Sequence, residues 1–405
     1  MIDPHTSPAL RRSQTDLGSV LALTRDLVRI PTRGGIDHYD DAIAHLSGWM
    51  DERGLDPKVL RDGTGAAVAL TAAVHGQRPG PTWVLDACLD TAPFGDEHAW
   101  THSPTSGTIR DGWLWGRGAA DSKVAVAMFC HLAAHLRAEA DALCGDLVLL
   151  FDLDEHTGGF GGAKRYFAAQ DTPPDIGGVM IGYPGMDKLV IGGRGVYRVR
   201  LRVHGVASHS GGSKSTANAI SKASAIIRAL ESEPMPGAAE GFGPGKLTVT
   251  AIGAGEGFSV VPDLCTVNVD VRTTAAFAED EAADLVAAVV AKVDADWPDT
   301  APTLVEAHTR WPAYALPEES PLRSALVGAA AAHGVQLEAK VAGPSNIGNY
   351  LAGLNVPATA GFGPVYEGLH ATDERVCLDT IPVAQAIYEQ AIRTLMSRRA
   401  PDVTV

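Results

Sequence analysis

Phe151-Asp-Leu-Asp-Glu-His-Thr-Gly-Gly159 joins two kinds of sequence. Leading into it, Asp146–Asp152 is almost unbroken apolar residue (Leu147-Val-Leu-Leu-Phe151). Such a run predicts a strand buried on both faces, as in the parallel centre of an α/β sheet. Beyond Phe151 the chain turns to acids, a histidine and glycines, the composition of a loop leaving a strand end. In open α/β sheets ligands gather beyond the carboxyl ends of the strands, so Glu155 and His156 are placed where chemistry is expected.

Working outward, Asp16–Ile30 has helical periodicity (Leu21, Leu23, Leu27, Val28) and stops at Pro31. A second helix is predicted at Asp41–Arg53. Strand-like runs follow at Ala66–Ala73 and Thr82–Cys88, separated by the turn-forming Gly76–Pro81. The second of these runs ends at Leu89-Asp90. Gly116-Arg-Gly-Ala-Ala-Asp-Ser-Lys123 opens a helix, with Asp121 as its candidate cap. After the central stretch come a helix at Ala163–Ala169 and a strand at Val179–Gly182 that ends at Tyr183-Pro184.

Past Arg194-Gly195 the pattern changes to alternating, half-exposed strands: Tyr197–Val203, Leu247–Ile252, Cys265–Arg272 and Thr303–Glu306. Helices at Ala217–Leu230 and Asp280–Val293 interleave with them in the order βαββαβ, the ferredoxin-like arrangement. Residues 196–308 therefore read as an inserted domain. Residues 1–195 and 309–405 form one discontinuous domain around a largely parallel sheet, with a helix at Pro321–His333, a strand at Pro357–Phe362, the loop through His370 and a last helix at Ile381–Arg398.

Composition narrows the function classes. At 405 residues two domains are the natural expectation. A net charge of −15 argues against nucleic acid or anionic membrane as partner. The five cysteines are odd in number and lack C-x-x-C spacing, which fits free thiols in a reducing compartment. The first residues lack a signal-peptide pattern and no apolar run approaches the roughly 20 residues of a membrane span, so a cytoplasmic location is expected.

Four predicted strand ends carry chemically suggestive groups: Cys88 with Asp90, Glu155 with His156, Tyr183, and His370. Several matched runs resemble the M20 family of metallopeptidases and amidohydrolases, which includes aminoacylases, carboxypeptidase G2-like enzymes, succinyl-diaminopimelate desuccinylases and acetylornithine deacetylases. The runs are Leu85–Asp90, Asp111–Lys123, Asp154–Gly159, Gly205–Ser210, Asn218-Ala219, Val261–Asp263 with Asp270–Arg272, and His370–Glu374. They stand in family order over nearly the whole chain. The resemblance implies an α/β catalytic domain, a ferredoxin-like lid and dimerisation domain, and a homodimer. It also implies hydrolysis of an amide in a small, carboxylate-bearing N-acyl amino acid or peptide-like substrate.

The family site usually holds two zinc ions on His, a bridging Asp, an acid of a Glu pair, a further acid and a last His. Carried over, these positions are Cys88, Asp121, His156, Tyr183 and His370, so three of the five differ from the family pattern. Asp121, His156 and His370 form a two-histidine, one-carboxylate set suited to one zinc with an open position. Cys88 and Tyr183 would complete the second position only if the phenol, with its ordinary pKa near ~10, gave up its proton. Glu155 falls at the general-base position, His209 at the lid donor for the developing oxyanion, and Asn218 and Arg272 at substrate-carboxylate positions. Asp90 orients the residue at position 88 in the family, a purpose a thiol does not need.

Each residue also has a plainer reading. Cys88 suits a small buried residue, Asp121 a helix cap, Tyr183 packing, His156 and His209 exposed loop positions, and Arg272 a structural ion pair. Two other functions remain open on the exchanged ligands. One is a metal-free enzyme of the same fold that uses Glu155, His156 and His370 as acid–base groups for acyl transfer, cyclisation or isomerisation. The other is a non-catalytic protein that holds a small acid.

Overall fold

The computed structural model describes residues 7–168, 175–239 and 241–397. A five-stranded sheet forms the first unit, from β1 (Lys58–Arg61), β2 (Ala67–His75), β3 (Arg78–Cys88), β4 (Cys144–Asp152) and β5 (Ile176–Ile181). Its order is β1-β2-β4-β3-β5. The β4–β3 and β3–β5 pairings are parallel, whereas β1–β2 and β2–β4 are antiparallel. The sheet is thus mixed, not largely parallel. β2 and β3 are joined by a tight turn at Gly76-Gln77, and so short a connection allows only an antiparallel relation between β2 and the strands parallel to β3.

The apolar run of β4 lies at the middle of this sheet, and Leu147, Leu149, Leu150 and Phe151 are buried. One face packs on α1 (Pro8–Arg29), α2 (Asp40–Asp51), α3 (Val124–Arg137), α7 (Pro321–Ala332) and α9 (Ile381–Met396). The other packs on α4 (Gly161–Phe167) and α8 (Ile347–Gly353). α1 begins well before Asp16, because Ser7 caps it by accepting from Leu10 N–H at 3.1 Å and Pro8 suits its first turn. α4 starts at Gly161; its expected end at residue 169 lies outside the described residues, as does residue 398 at the end of α9.

The second unit is a four-stranded antiparallel sheet: β6 (Gly195–His204), β7 (Lys246–Ala254), β8 (Leu264–Thr273) and β9 (Leu304–Trp311). α5 (Ala219–Ser232) and α6 (Glu279–Ala295) complete the βαββαβ order, and the sheet order is β7-β8-β6-β9. Alternation along β6 and β8 puts Tyr197, Val199, Leu201, Val203, Cys265, Val267, Val269 and Val271 into a core shared with the two helices. Among the described residues the opposite face carries no helix. The two crossings between the units meet at the buried Asn349, whose Nδ2 donates to Gly193 O, Arg194 O and Pro312 O at 3.3, 2.9 and 2.8 Å.

All five cysteines are free. Among the described residues no helix is long and apolar enough to cross a membrane.

Candidate active site

The carboxyl ends of β3, β4 and β5 open onto one rim, where loops from elsewhere meet them. β3 delivers Cys88 and then Asp90, both fully buried. β4 delivers the Asp154–Gly159 loop. The third contribution comes from the turn before α3. Asp121 is not the cap of that helix. Its backbone is extended (φ −120°, ψ 93°), its peptide bond to Ser122 is cis, and α3 begins only at Val124. Its side chain lies in the rim, where it meets His370 and His156. The fourth contribution is His370, held at φ +56° in a loop that Asp373 ties to Thr101, accepting from its N–H at 2.8 Å and its hydroxyl at 2.7 Å.

The three groups expected to share a metal do converge. His370 Nε2 donates to Asp121 Oδ2 at 2.8 Å, and His156 Nε2 lies 3.6 Å from the same oxygen. One ligand atom from each of Asp121, His156 and His370 falls within 4.8 Å of the others. Ligand atoms of a tetrahedral zinc with bonds near ~2.0 Å stand about 3.3 Å apart, so the observed spacings bracket that geometry. Cys88 Sγ donates to Asp121 Oδ1 at 3.5 Å, and Ser122 Oγ donates to it at 2.7 Å. Cys88 also groups with Asp90 and His156 as a second possible ligand set. Tyr183 follows β5 and is packed against Gly361 so closely that a Cβ there would meet its own Cβ at 2.5 Å.

The charges explain which groups keep protons. Burial works against ionising Asp121, but the hydrogen bonds and charges of His156 and His370 outweigh it and hold the carboxylate far below its usual range. Burial likewise opposes charge on His156, yet Asp121 and Asp90 on either side push its imidazolium up to about 11. Burial, reinforced by the charge of Asp121, pushes Glu155 up to about 8. The thiol of Cys88 and the phenol of Tyr183 are both pushed up by burial and by neighbouring carboxylates, so both hold their protons at neutral pH.

Asp90 has a different job from the one expected. It accepts from Glu155 N–H at 3.2 Å and His156 N–H at 2.9 Å, and its Oδ2 lies 3.5 Å from His156 Nδ1. It therefore orients the β4 loop and its histidine, not position 88. Gly34 leaves room beside it, since a Cβ there would crowd Asp90 Oδ2 at 3.0 Å, Thr157 Cγ2 at 3.2 Å and His156 Cβ at 3.4 Å.

Other supports were not singled out from sequence. Glu374 Oε1 accepts from the N–H groups of Ala120 and Asp121 at 3.0 and 3.1 Å, and its Oε2 pairs with Arg117 at 2.7 Å in full burial. It fastens the Asp121 turn to the His370 loop. Lys123, also buried, donates to Leu27 O and Ile30 O at 2.8 and 3.0 Å and ties the same turn to the end of α1; burial pushes it down to about 7. Arg117 and Glu374 stand inside runs that each carry a site residue, and their opposite charges were the available signal.

The residues expected from the second unit lie apart from this cluster. Asn218 caps α5, its Oδ1 accepting from Ile220 N–H at 2.8 Å. His209 is exposed, and its Nδ1 accepts from Gly211 N–H at 3.0 Å. Arg272 pairs with Asp270 at 2.7 Å and donates to Ser345 Oγ at 3.0 Å, joining the two units.

Such a rim, with a carboxylate, imidazoles and a further acid meeting at strand ends, defines an α/β enzyme of the hydrolase type. Residues 84–394 match the model of peptidase family M20/M25/M40, and the chain belongs to that family. A succinyl-diaminopimelate desuccinylase of Cereibacter sphaeroides is 27% identical over 92% of this chain and 98% of its own length. One from Gluconacetobacter diazotrophicus is 31% identical over 62% of this chain and 66% of its own length. Among solved structures, a tripeptidase from Staphylococcus aureus superposes with a TM-score of 0.74 at 16% identity, covering 94% of this chain and 99% of its own. A dinuclear metal-binding M20 peptidase from Bacillus subtilis gives 0.71 at 17% identity, covering 95% and 99%.

Proposed function

We propose that this M20 hydrolase cleaves the amide bond of a small N-acyl amino acid or peptide-like substrate bearing a free carboxylate, and that it does so with one metal ion per chain. The observation that carries the reading is the convergence of Asp121, His156 and His370 beside Glu155. Relatives named succinyl-diaminopimelate desuccinylase support an N-acyl substrate.

Two imidazoles and one carboxylate suit zinc. When bound there, the cation would polarise the substrate carbonyl and make an attacking water more acidic. Asp90 would fix the His156 ring so that Nε2 faces Asp121. Glu374, through the Asp121 backbone, would hold the carboxylate in place. Glu155 would take the proton of the attacking water and give it to the leaving nitrogen; a neighbouring cation would counter the burial and the Asp121 charge that raise its pKa. Residues 196–308 would act as a lid carrying His209 toward the oxyanion and Arg272 and Asn218 toward the substrate carboxylate, and would pair two chains. Cys88 could serve a second metal position as a thiolate, but Tyr183 would leave that position weak or empty, because its phenol, pushed up by burial, would have to give up its proton to bind.

Elemental analysis of protein purified without added metal tests this reading, alongside turnover of N-succinyl and N-acetyl amino acids. One equivalent of metal is expected, absent from His370→Ala, with turnover at least about 10³-fold lower in Glu155→Gln. Two equivalents would reject the single-metal site. Turnover with no metal, even after zinc soaking, would establish the second reading, a metal-free enzyme. The exchanged donors at positions 88 and 183 favour that reading.

A further inference from the structure

The helix-free face of the second sheet carries a row of arginines that no step above uses. Arg198, Arg200 and Arg202 stand at alternate positions of β6, so all three project from the face opposite α5 and α6. At about 3.4 Å per residue the row is roughly 14 Å long. It is flanked by Asp270, Asn268 and Thr266 of β8 and by Thr309, Glu306 and Leu304 of β9, each directly across the ladder. Two hollows of about 370 and 390 Å³ lie along it and share Arg200 and Asn268, which makes one continuous trough.

Compensation of the guanidinium charges falls off along the row. Arg198 pairs with Asp270 at 2.9 Å, and that carboxylate is also held by Arg272 at 2.7 Å. Among the described residues Arg200 meets a neutral amide and no carboxylate, donating from Nε to Asn268 Oδ1 at 3.2 Å. Nε of Arg202 is buried with no hydrogen-bond partner. Glu306 sits opposite Arg200 but forms no ion pair among the described residues. Four guanidinium groups thus share a face with two carboxylates, in a chain whose net charge is −15.

The near end of the trough reaches the rim. Arg198 Nη1 lies 3.5 Å from where a side chain at Gly158 would begin, three residues beyond Glu155. Arg200 and Arg202 form no ion pair among the described residues, and a carboxylate can give the outer nitrogens of each guanidinium a two-pronged hydrogen bond.

We infer that this trough binds the carboxylates of an oligo-acidic ligand, one whose acidic portion extends from the Gly158 end past Arg200 to Arg202. The ligand class is a peptide-like molecule with several spaced carboxylates. Arg198, already shared with Asp270, sets the start of the track, while Arg200 and Arg202 take the incoming charges. The inference rests on the hydrolase reading for the identity of the neighbouring site and narrows its substrate to an acidic one.

Calorimetric titration with tri-L-glutamate at low ionic strength tests it, using wild type, Arg200→Met, Arg202→Met and Arg228→Met. Arg228 is exposed on α5, on the other side of the sheet, and its substitution removes the same charge. Binding to wild type is expected, at least about tenfold weaker in each trough variant and unchanged in Arg228→Met. Unchanged melting temperatures show that the variants are folded. Equal affinity across all four proteins, or no binding by wild type, overturns the inference. Calorimetry needs no turnover, so a failure to find amide hydrolysis leaves this result standing by itself.

Discussion

The two sheets handle charge in opposite ways. In the first, the charged groups of the candidate site gather at strand ends and loops on one rim, where they are buried and coupled: Asp90, Asp121 and Glu374 are each 3% exposed or less. In the second, a row of charged side chains runs along one face and lies mostly within reach of water; the Arg198 side chain is 41% exposed even while paired. Burial strengthens each interaction and makes an unpaired group costly, which suits a site that must hold a few atoms in fixed positions. Exposure keeps each interaction weak and replaceable, which suits recognition of a ligand that arrives and leaves.

Breaking an ion pair in each region is the direct test of that contrast. Arg117→Met strands the buried Glu374 carboxylate and is expected to cost about 3–5 kcal/mol in chemical denaturation. A loss under about 1 kcal/mol would mean that Glu374 takes up a proton and the pair is not what holds the turn. Next in size is Asp90→Asn, which removes one of the two charges beside His156. In metal-free protein the imidazole titration followed by NMR should move down from about 11, with roughly 1–3 kcal/mol of stability lost through the weakened loop hydrogen bonds. An unmoved titration would leave Asp121 as the whole cause.

Arg198→Met, the matching change in the second sheet, should cost less than about 1 kcal/mol. A loss as large as that of Arg117→Met would erase the distinction between the sheets. The smallest effect belongs to a part-exposed pair on the first unit, His135 with Asp16 at 2.7 Å. The hydrogen bond that His135 donates to Asp16 raises the His135 pKa, so its contribution is complete below the unfolded value near ~6.5 and fades as pH rises through the folded one. Burial opposes the charge of Asp16, but His135 outweighs it and lowers the pKa, so that contribution is present above ~3.8 and fades as pH falls. The pair should therefore add about 0.5 kcal/mol between pH ~4 and ~6.5. The stability gap between wild type and His135→Asn should shrink from pH 5.5 to pH 9. A gap independent of pH would show that packing, not charge, makes the difference.

Much of this was legible in the chain. The unbroken apolar run of β4 and the strict alternation of β6 and β8 report how many faces of each strand are buried, because side-chain direction repeats every two residues. That periodicity is local, and it survives in one dimension. The resemblance to M20 sequences added the family and placed Glu155 beside its neighbours. Where direction depends on a turn, the reading failed. The tight Gly76-Gln77 connection reversed β2 and made the first sheet mixed, and the supposed helix cap Asp121 lies in the rim, on extended backbone before α3 begins.

The sequence alone carried the family resemblance, the βαββαβ order of the second unit and the strand ends at Cys88, Glu155 and Tyr183. It missed short strands such as Lys188–Gly193 and Glu338–Ala342, the expected strand at Pro357–Phe362 is a set of isolated bridges, and His370 lies in a loop. Only tertiary structure decided which of those residues meet. Asp90 reaches past Cys88 to His156, and Glu374 closes on the backbone of Asp121 across 253 positions of sequence. Neither pairing leaves a trace in spacing, since each is fixed by through-space distance and burial. The arginine row shows the same division: the alternation that points three guanidinium groups one way is written in β6, whereas their partners come from β8 and β9 and exist only once the sheet is formed.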